Sequence, residues 1–319
     1  MNLYLTHKCN RGCPFCFAKK VSQKASHDQT EILTIEDIEK LFSHFKELGT
    51  SVNHIGLLGG EPFLYPHLRE LLHLFDQKGV AAKIFTSATN QLPEVLEEMD
   101  ITQAIGKINF IVNVGTSDTY NERQFKNLEH FLHHFAPLVS LSFTILDLSK
   151  SPDYLFDLID KYQLNRDIRT GIALPILNGG NQYISLDHYK EAGKYFVSVA
   201  TQAAERGITL SMDCGFIACM FTTQQIGKLL RLGTGVHFLC GTAMDIGPGL
   251  QAWNCFPLFQ IGQVDAMQAR DLNELERMLK EAVTRQLGAA SGILNACAQC
   301  SSMQKNLCEG GCLSFKSVK

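Results

Sequence analysis

A chain of 319 residues with 45% hydrophobic and 19% charged residues is long enough for one large core, or for one domain with a smaller appendage. Its net charge of -3 and isoelectric point near 6.4 give no basic field, which argues against a nucleic-acid partner. No apolar run reaches membrane-spanning length and no signal peptide precedes the first strand, so a cytoplasmic protein with reduced, metal-binding cysteines is expected.

Residues 2–6 read as a short strand, followed by the loop KCNRGCPFCFAKK at 8–20. In it Cys9, Cys13 and Cys16 stand at C-x3-C-x2-C spacing, with the aromatic Phe15 just before the third. Three thiolates so close can hold three irons of a cubane cluster and leave the fourth iron open to a substrate or cofactor. A zinc knuckle short of one ligand, or three buried apolar cysteines, would use the same residues. Gly12 is expected to spare the cluster a crowding side chain, and Pro14 to stiffen the approach to the third cysteine.

Residues 22–30 read as a polar connection, and Thr34 before Glu36 and Asp37 reads as the cap of a helix running to about Gly49. A buried strand over 54–58 ends in Gly59-Gly60-Glu61-Pro62, and a helix over 65–78 closes at Gly79. The unit recurs as 81–86 before 93–99, 108–114 before 118–135, 139–145 before 152–162, and 168–174 before 186–206. Counting the first strand, these βα units predict an α/β fold with a parallel sheet, open or closed into a barrel.

Beyond Gly207 the pattern changes to an isolated strand at 208–212, a stretch carrying Cys214 and Cys219, and a short helix near 224–232. Glycines and cysteines then dominate around one long helix, 271–287. A boundary near 233 divides the chain into 1–232 and 233–319, the second unit too small to persist by burial alone and so expected to be stapled by metal.

The loop of Cys9, Cys13, Cys16 and Phe15 resembles the cluster-binding loop of the radical S-adenosylmethionine (SAM) enzymes. Gly59-Gly60-Glu61-Pro62, at a strand end before a helix, resembles that family's second motif. The resemblance implies a (β/α)6 partial TIM barrel with a 4Fe-4S cluster bound to SAM at the C-terminal strand ends. It implies that Gly59, Gly60, Glu61 and Pro62 receive the SAM amino group, through a backbone carbonyl and the carboxylate. By position alone, Ser87 and Asn113 at the next strand ends match polar residues that hold the methionine carboxylate and ribose. The implied chemistry is reductive cleavage of SAM to a 5′-deoxyadenosyl radical that abstracts hydrogen from a substrate. No acid or base is needed for that step, so His130, His133 and His134 read as a solvated helix face.

Cys240, Cys255 and the run Cys297-x2-Cys300-x7-Cys308-x3-Cys312 resemble the SPASM domain, or its shorter relative the twitch domain, which ligate auxiliary iron-sulfur clusters. Gly249 stands one residue off that pattern, and x7 replaces x5. One or two auxiliary 4Fe-4S clusters are implied. Cys214 and Cys219 either join these ligands or are small apolar residues at a strand end, and zinc remains an alternative for the tail. Relatives of this type modify ribosomally made peptides by crosslinking, epimerisation or oxidation, fed by a one-electron reductant such as flavodoxin or ferredoxin. Only eight residues precede Cys9, which leaves no room there for a leader-recognition domain. A small-molecule dehydrogenase acting on a sugar alcohol is therefore the second expectation, and a non-catalytic metal scaffold the third.

Overall fold

In the computed structural model, Leu3, Tyr4 and Leu5 are fully buried because the strand they begin is covered along both edges. Strand β1 (Asn2–Tyr4) pairs in parallel with β2 (His54–Leu58) on one side and with β8 (Asp245–Ile246) on the other. The structure describes residues 1–18, 32–177, 180–288 and 292–318; the expected polar connection over 22–30 lies outside them. From β2 the sheet continues in chain order through β3 (Ala81–Thr86), β4 (Ile108–Asn113), β5 (Val139–Ile145), β6 (Asp167–Ile172) and β7 (Thr209–Met212), every pair parallel.

A doubly wound sheet reverses its strand order at a switch point, whereas here each strand follows its predecessor as in a barrel. The ring stays partial. Beyond β8 the sheet adds antiparallel β9 (Gln251–Trp253) and β10 (Val264–Asp265), which leaves β10 and β7 as its two edges. The segment expected as an isolated strand is β7, the edge strand of the parallel run, hydrogen-bonded along β6. Ile208, Leu210 and Met212 are buried and alternate with Thr209 and Ser211, which gives the strand one apolar face.

Helix α1 (Ile35–Glu47) opens at Thr34, whose hydroxyl accepts from the Asp37 amide at 3.0 Å, and buries Ile38, Leu41, Phe42 and Phe45 at helical spacing. Helix α2 (Leu68–Lys78) begins later than expected because Pro62–Leu64 form a 3-10 turn, and it closes on left-handed Gly79. The helix expected over 93–99 is two single turns, Glu94–Glu97 and Ile101–Ala104. Asp100 starts the second by accepting from the Thr102 amide at 2.9 Å. The remaining long helices are α3 (Glu122–His134), α4 (Asp153–Tyr162), α5 (Tyr189–Glu205), α6 (Thr223–Arg231) and α7 (Leu272–Leu287).

One hydrophobic cluster runs from Leu3 through the barrel to Leu275, Leu279 and Phe315, so core and sheet are both continuous across residue 233. Tyr4 and Trp253 form a second cluster with ring centroids 5.9 Å apart, against Phe256 and Phe259. Among the described residues, no helix is long and apolar enough to cross a membrane.

Candidate active site and cysteine centres

The site lies where the parallel strands end. The loop after β1 carries Cys9, Cys13 and Cys16, and the loop after β2 carries Gly59 to Pro62. Gly60 N donates to Thr6 O at 2.7 Å and Glu61 N to Lys8 O at 2.8 Å, laying one loop's backbone along the other. A Cβ on Gly60 would stand 2.4 Å from Lys8 O and 2.6 Å from His7 O, so only glycine permits that approach. Gly12 has no such demand, for among the described residues no atom beyond its chain neighbours lies within 4 Å of where its Cβ would be.

The opposite side of the cysteine loop is tied to the chain after β6. Asn181 Nδ2 donates to Phe15 O at 3.2 Å and to Leu174 O at 2.8 Å, while its Oδ1 accepts from Ile176 N at 3.2 Å. Gln182 N donates to Pro14 O at 2.8 Å. Asn10 Nδ2 reaches Thr89 Oγ1 at 3.2 Å, and the Arg11 guanidinium stacks 4.4 Å above the Tyr120 ring, whose hydroxyl accepts from Gly115 N at 2.7 Å. Loops from four strands thus brace one short loop.

The Glu61 carboxylate is only 1% exposed and is surrounded by protein donors. Oε1 accepts from Thr86 Oγ1 at 2.7 Å and Phe63 N at 3.3 Å; Oε2 accepts from Ser87 N at 2.9 Å and Ser87 Oγ at 2.7 Å. Burial raises its pKa, and the bonds from Thr86, Ser87 and Phe63 oppose that rise. Its partners here are therefore the end of β3 and its own loop. Ser87 also meets Thr89 Oγ1 at 3.0 Å, which continues the chain of polar contacts to Asn10 and the cysteine loop. Asn113 ends β4 with an exposed side chain, and Phe15 is half-buried.

Arg11 N donates to Cys9 Sγ at 3.4 Å, an amide-to-sulfur contact of the kind that favours thiolate. Desolvation, then Glu61, Cys16 and Cys13, push the Cys9 thiol up to about 11 against that contact. A thiol raised in this way keeps its proton until a metal supplies positive charge, at which point a coordinating thiol is deprotonated outright. The donor set fits an iron-sulfur cluster. Among the described residues no three His, Cys, Asp or Glu side chains converge closely enough for a single ion. A cubane spreads its ligands over separate irons, so its thiols stand farther apart.

In the second half, Cys297 and Cys308 are buried, Cys255, Cys300 and Cys312 half-buried, and Cys240 exposed, as are Cys214 and Cys219 on the loop after β7. Desolvation, with Cys312 and Glu309 beside it, pushes the Cys240 thiol up to about 12. Cys300 moves the other way, lowered by the Met303 and Ser302 amides at the start of the short helix Ser301–Gln304. Sequence reasoning missed Asn181, Asn10, Thr86 and Tyr120. A threonine at a strand end was a weak signal for Thr86, and nothing local marks Asn181, whose partners are set by the fold.

Residues 3–131 match the family model of the Radical SAM superfamily. The chain is similar to an S-adenosylmethionine-dependent nucleotide dehydratase of Flammeovirga pacifica, 28% identical over 136 residues that make up 40% of this chain and 46% of that protein. The chain thus spans less than half the length of that relative. In fold it is similar to Streptococcus suis SuiB bound to precursor peptide SuiA, at 16% identity over 98% of this chain and 71% of that one, with a TM-score of 0.66. It is likewise similar to native anSMEcpe with bound AdoMet and Cp18Cys peptide, at 15% identity over 100% and 91% of the two chains, with a TM-score of 0.64.

Proposed function

We propose that this chain, whose residues 3–131 match the family model of the Radical SAM superfamily, is a radical SAM enzyme that abstracts hydrogen from a ribosomally made peptide in order to crosslink, epimerise or oxidise it. The observation that carries the site is the convergence of Cys9, Cys13 and Cys16 with Gly59 to Pro62, Ser87 and Asn113 at neighbouring strand ends. In this reading the three thiols hold the 4Fe-4S cluster and leave one iron for SAM. When bound, the pair supplies reductive cleavage of SAM to the 5′-deoxyadenosyl radical.

The chain's own residues set the geometry. Backbone at Gly59 and Gly60 lines the edge offered to the methionine amino group, and Glu61 acts on that edge by holding Ser87 and Thr86 in place. Asn181 fixes the carbonyl of Phe15 and hence the approach of Cys16. The unit 233–319 is proposed to hold the auxiliary clusters, docked through β8 on β1. An external flavodoxin or ferredoxin is proposed as electron donor.

Support for a peptide substrate comes from the two folds of similar build that bind peptides. The relative acting on nucleotides supports the second reading, a small-molecule substrate. The test is anaerobic: reduced, iron-loaded protein should convert SAM to 5′-deoxyadenosine. A deuterated peptide encoded beside the gene should then pass its label to that product. Label arriving only from a nucleotide or sugar alcohol would move the assignment to the second reading, and no 5′-deoxyadenosine at all would end both.

A further inference from the structure

The strand register decides which side chains face the inside of the partial barrel. Phe110 on β4 packs against Phe131 and Phe135 at ring-centroid distances of 5.0 Å, so the helices take the face of Phe110 and Val112. Asn113, next along the strand, points the other way, to the inside. Asn113, Ser142, Arg169 and Ser211 are successive partners across β4, β5, β6 and β7, and partners at one level of a parallel sheet share a face. Arg169 therefore stands inside the barrel, level with a residue of the candidate site. Its row is otherwise short side chains. The next inward position on β6 is Gly171, where a Cβ would meet nothing closer than 3.8 Å, so the guanidinium has room to cross.

Two contacts fix how it crosses. Arg169 Nη2 donates to Asp213 Oδ1, just past the end of β7, at 2.7 Å. The guanidinium carbon stands 5.1 Å from the centre of the Phe85 ring on β3. That ring in turn reaches over β2, since a Cβ on Gly56 would come within 3.3 Å of Phe85 Cε2. The side chain thus spans the inside from β6 to β3, with an acid at its edge and a ring under its plane. Among the described residues the bond to Asp213 is its one hydrogen bond, and its side chain is 37% exposed, so the other N–H donors of the fork are open to a ligand.

The ligand's class follows from what the pair has left. Beside Asp213 the guanidinium keeps no net charge with which to offset a dianionic phosphate. It does keep a planar pair of N–H groups, which suits a two-oxygen monoanion. We propose that Arg169 binds a carboxylate of the substrate, so that the preferred peptide carries Asp or Glu close to the residue that loses hydrogen. This rests on the reading that a peptide reacts at these strand ends, and it adds which side chain that peptide must bring.

The experiment is arginine footprinting with phenylglyoxal on the anaerobic, iron-loaded wild-type protein. Modification is read by mass spectrometry at Arg169 and, as a control, at exposed Arg123. The probes are the end-blocked tripeptides Gly-Glu-Gly, Gly-Gln-Gly and Gly-Lys-Gly, and inorganic phosphate. Gly-Glu-Gly raised to about ten times its dissociation constant should slow modification of Arg169 about tenfold and leave Arg123 unchanged. The Gln and Lys tripeptides and SAM alone should leave Arg169 reactive. Equal protection by Gly-Gln-Gly would mean that a carbonyl suffices, and protection by phosphate without Gly-Glu-Gly would mean a phosphoryl ligand. Protection by SAM alone would place Arg169 in the cofactor site, and an Arg169 inert without any probe would be closed to ligands. Each of these overturns the assignment in protein that still cleaves SAM. Hydrogen taken only from a nucleotide or sugar alcohol, with Arg169 still protected by Gly-Glu-Gly, would instead defeat the peptide reading and uphold the carboxylate site.

Discussion

The first cysteine loop and the second-half cysteines, both proposed to hold clusters, are built on different architectural terms. Cys9, Cys13 and Cys16 come from one turn at the end of one strand, which the loops after four other strands brace. The other eight come from segments between Cys214 and Cys312, and packing among Gly292, Gly310, Gly311 and Ile217 holds the 292–312 segment against the loop of Cys214 and Cys219. The first has its thiols adjacent in sequence and its bracing partners supplied by the fold, whereas the second has even its thiols dispersed along the chain.

The most severe break is Cys9, Cys13 and Cys16 all changed to Ala. About four irons should be lost and SAM cleavage should fall to background, as read by chemical iron analysis and 5′-deoxyadenosine formation. Cleavage that survived would place the site elsewhere. Changing Cys297 and Cys300 to Ala sharpens the contrast: up to about four irons should go and modified product should vanish while 5′-deoxyadenosine still accumulates. Product made at the parental rate by a folded variant would remove the second half from the reaction.

Glu61→Ala lies between the two regions in severity. It strips buried Thr86 and half-buried Ser87 of their acceptor, a loss of about 1.5–3 kcal/mol for a charge-assisted bond, and should weaken SAM binding about ten- to a hundredfold. Iron content should not change. Calorimetric titration showing parental SAM affinity would reduce Glu61 to a purely structural tie.

The smallest effect concerns Asp245, where the two halves join. Desolvation pushes this buried carboxyl up to about 7, above its usual value of about 3.9. A raised carboxylate pKa means that its contribution to stability is complete below about pH 4 and is lost as pH climbs through about 7. Asp245→Asn, which keeps an oxygen for Asn2 Nδ2, should therefore melt a few degrees higher than the parent near pH 8, with the gain shrinking near pH 5.5. A difference that ignores pH would place the controlling group elsewhere.

What the sequence displayed was local. The strands over 54–58, 81–86 and 139–145 and the cap at Thr34 stand where apolar runs and turn residues put them. The strand over 208–212 looked solitary because its partner β6 is reached only back across α5 and the long stretch that precedes it. Glu61 looked free to meet a cofactor because burial by Thr86, Ser87 and Phe63 is a property of the sheet and not of Gly-Gly-Glu-Pro. Asn181 was silent for the same reason: its bonds to Phe15 and Leu174 span loops that only the barrel brings together.

The pairing of β1 with β8 also bears on how the chain is made. Asn2 sits opposite Asp245 and Leu3 opposite Ile246, so β1 leaves the ribosome about 240 residues before the strand that covers its second edge. Until then β1 presents one row of unpaired amides and carbonyls, a template for pairing with other chains. Closing so long a loop is also slow relative to local pairing. Nascent protein stalled short of residue 245 would keep that edge open and the cysteine loop beside it, which makes synthesis, rather than the finished fold, the stage at which this enzyme is most exposed to aggregation and to metal loss.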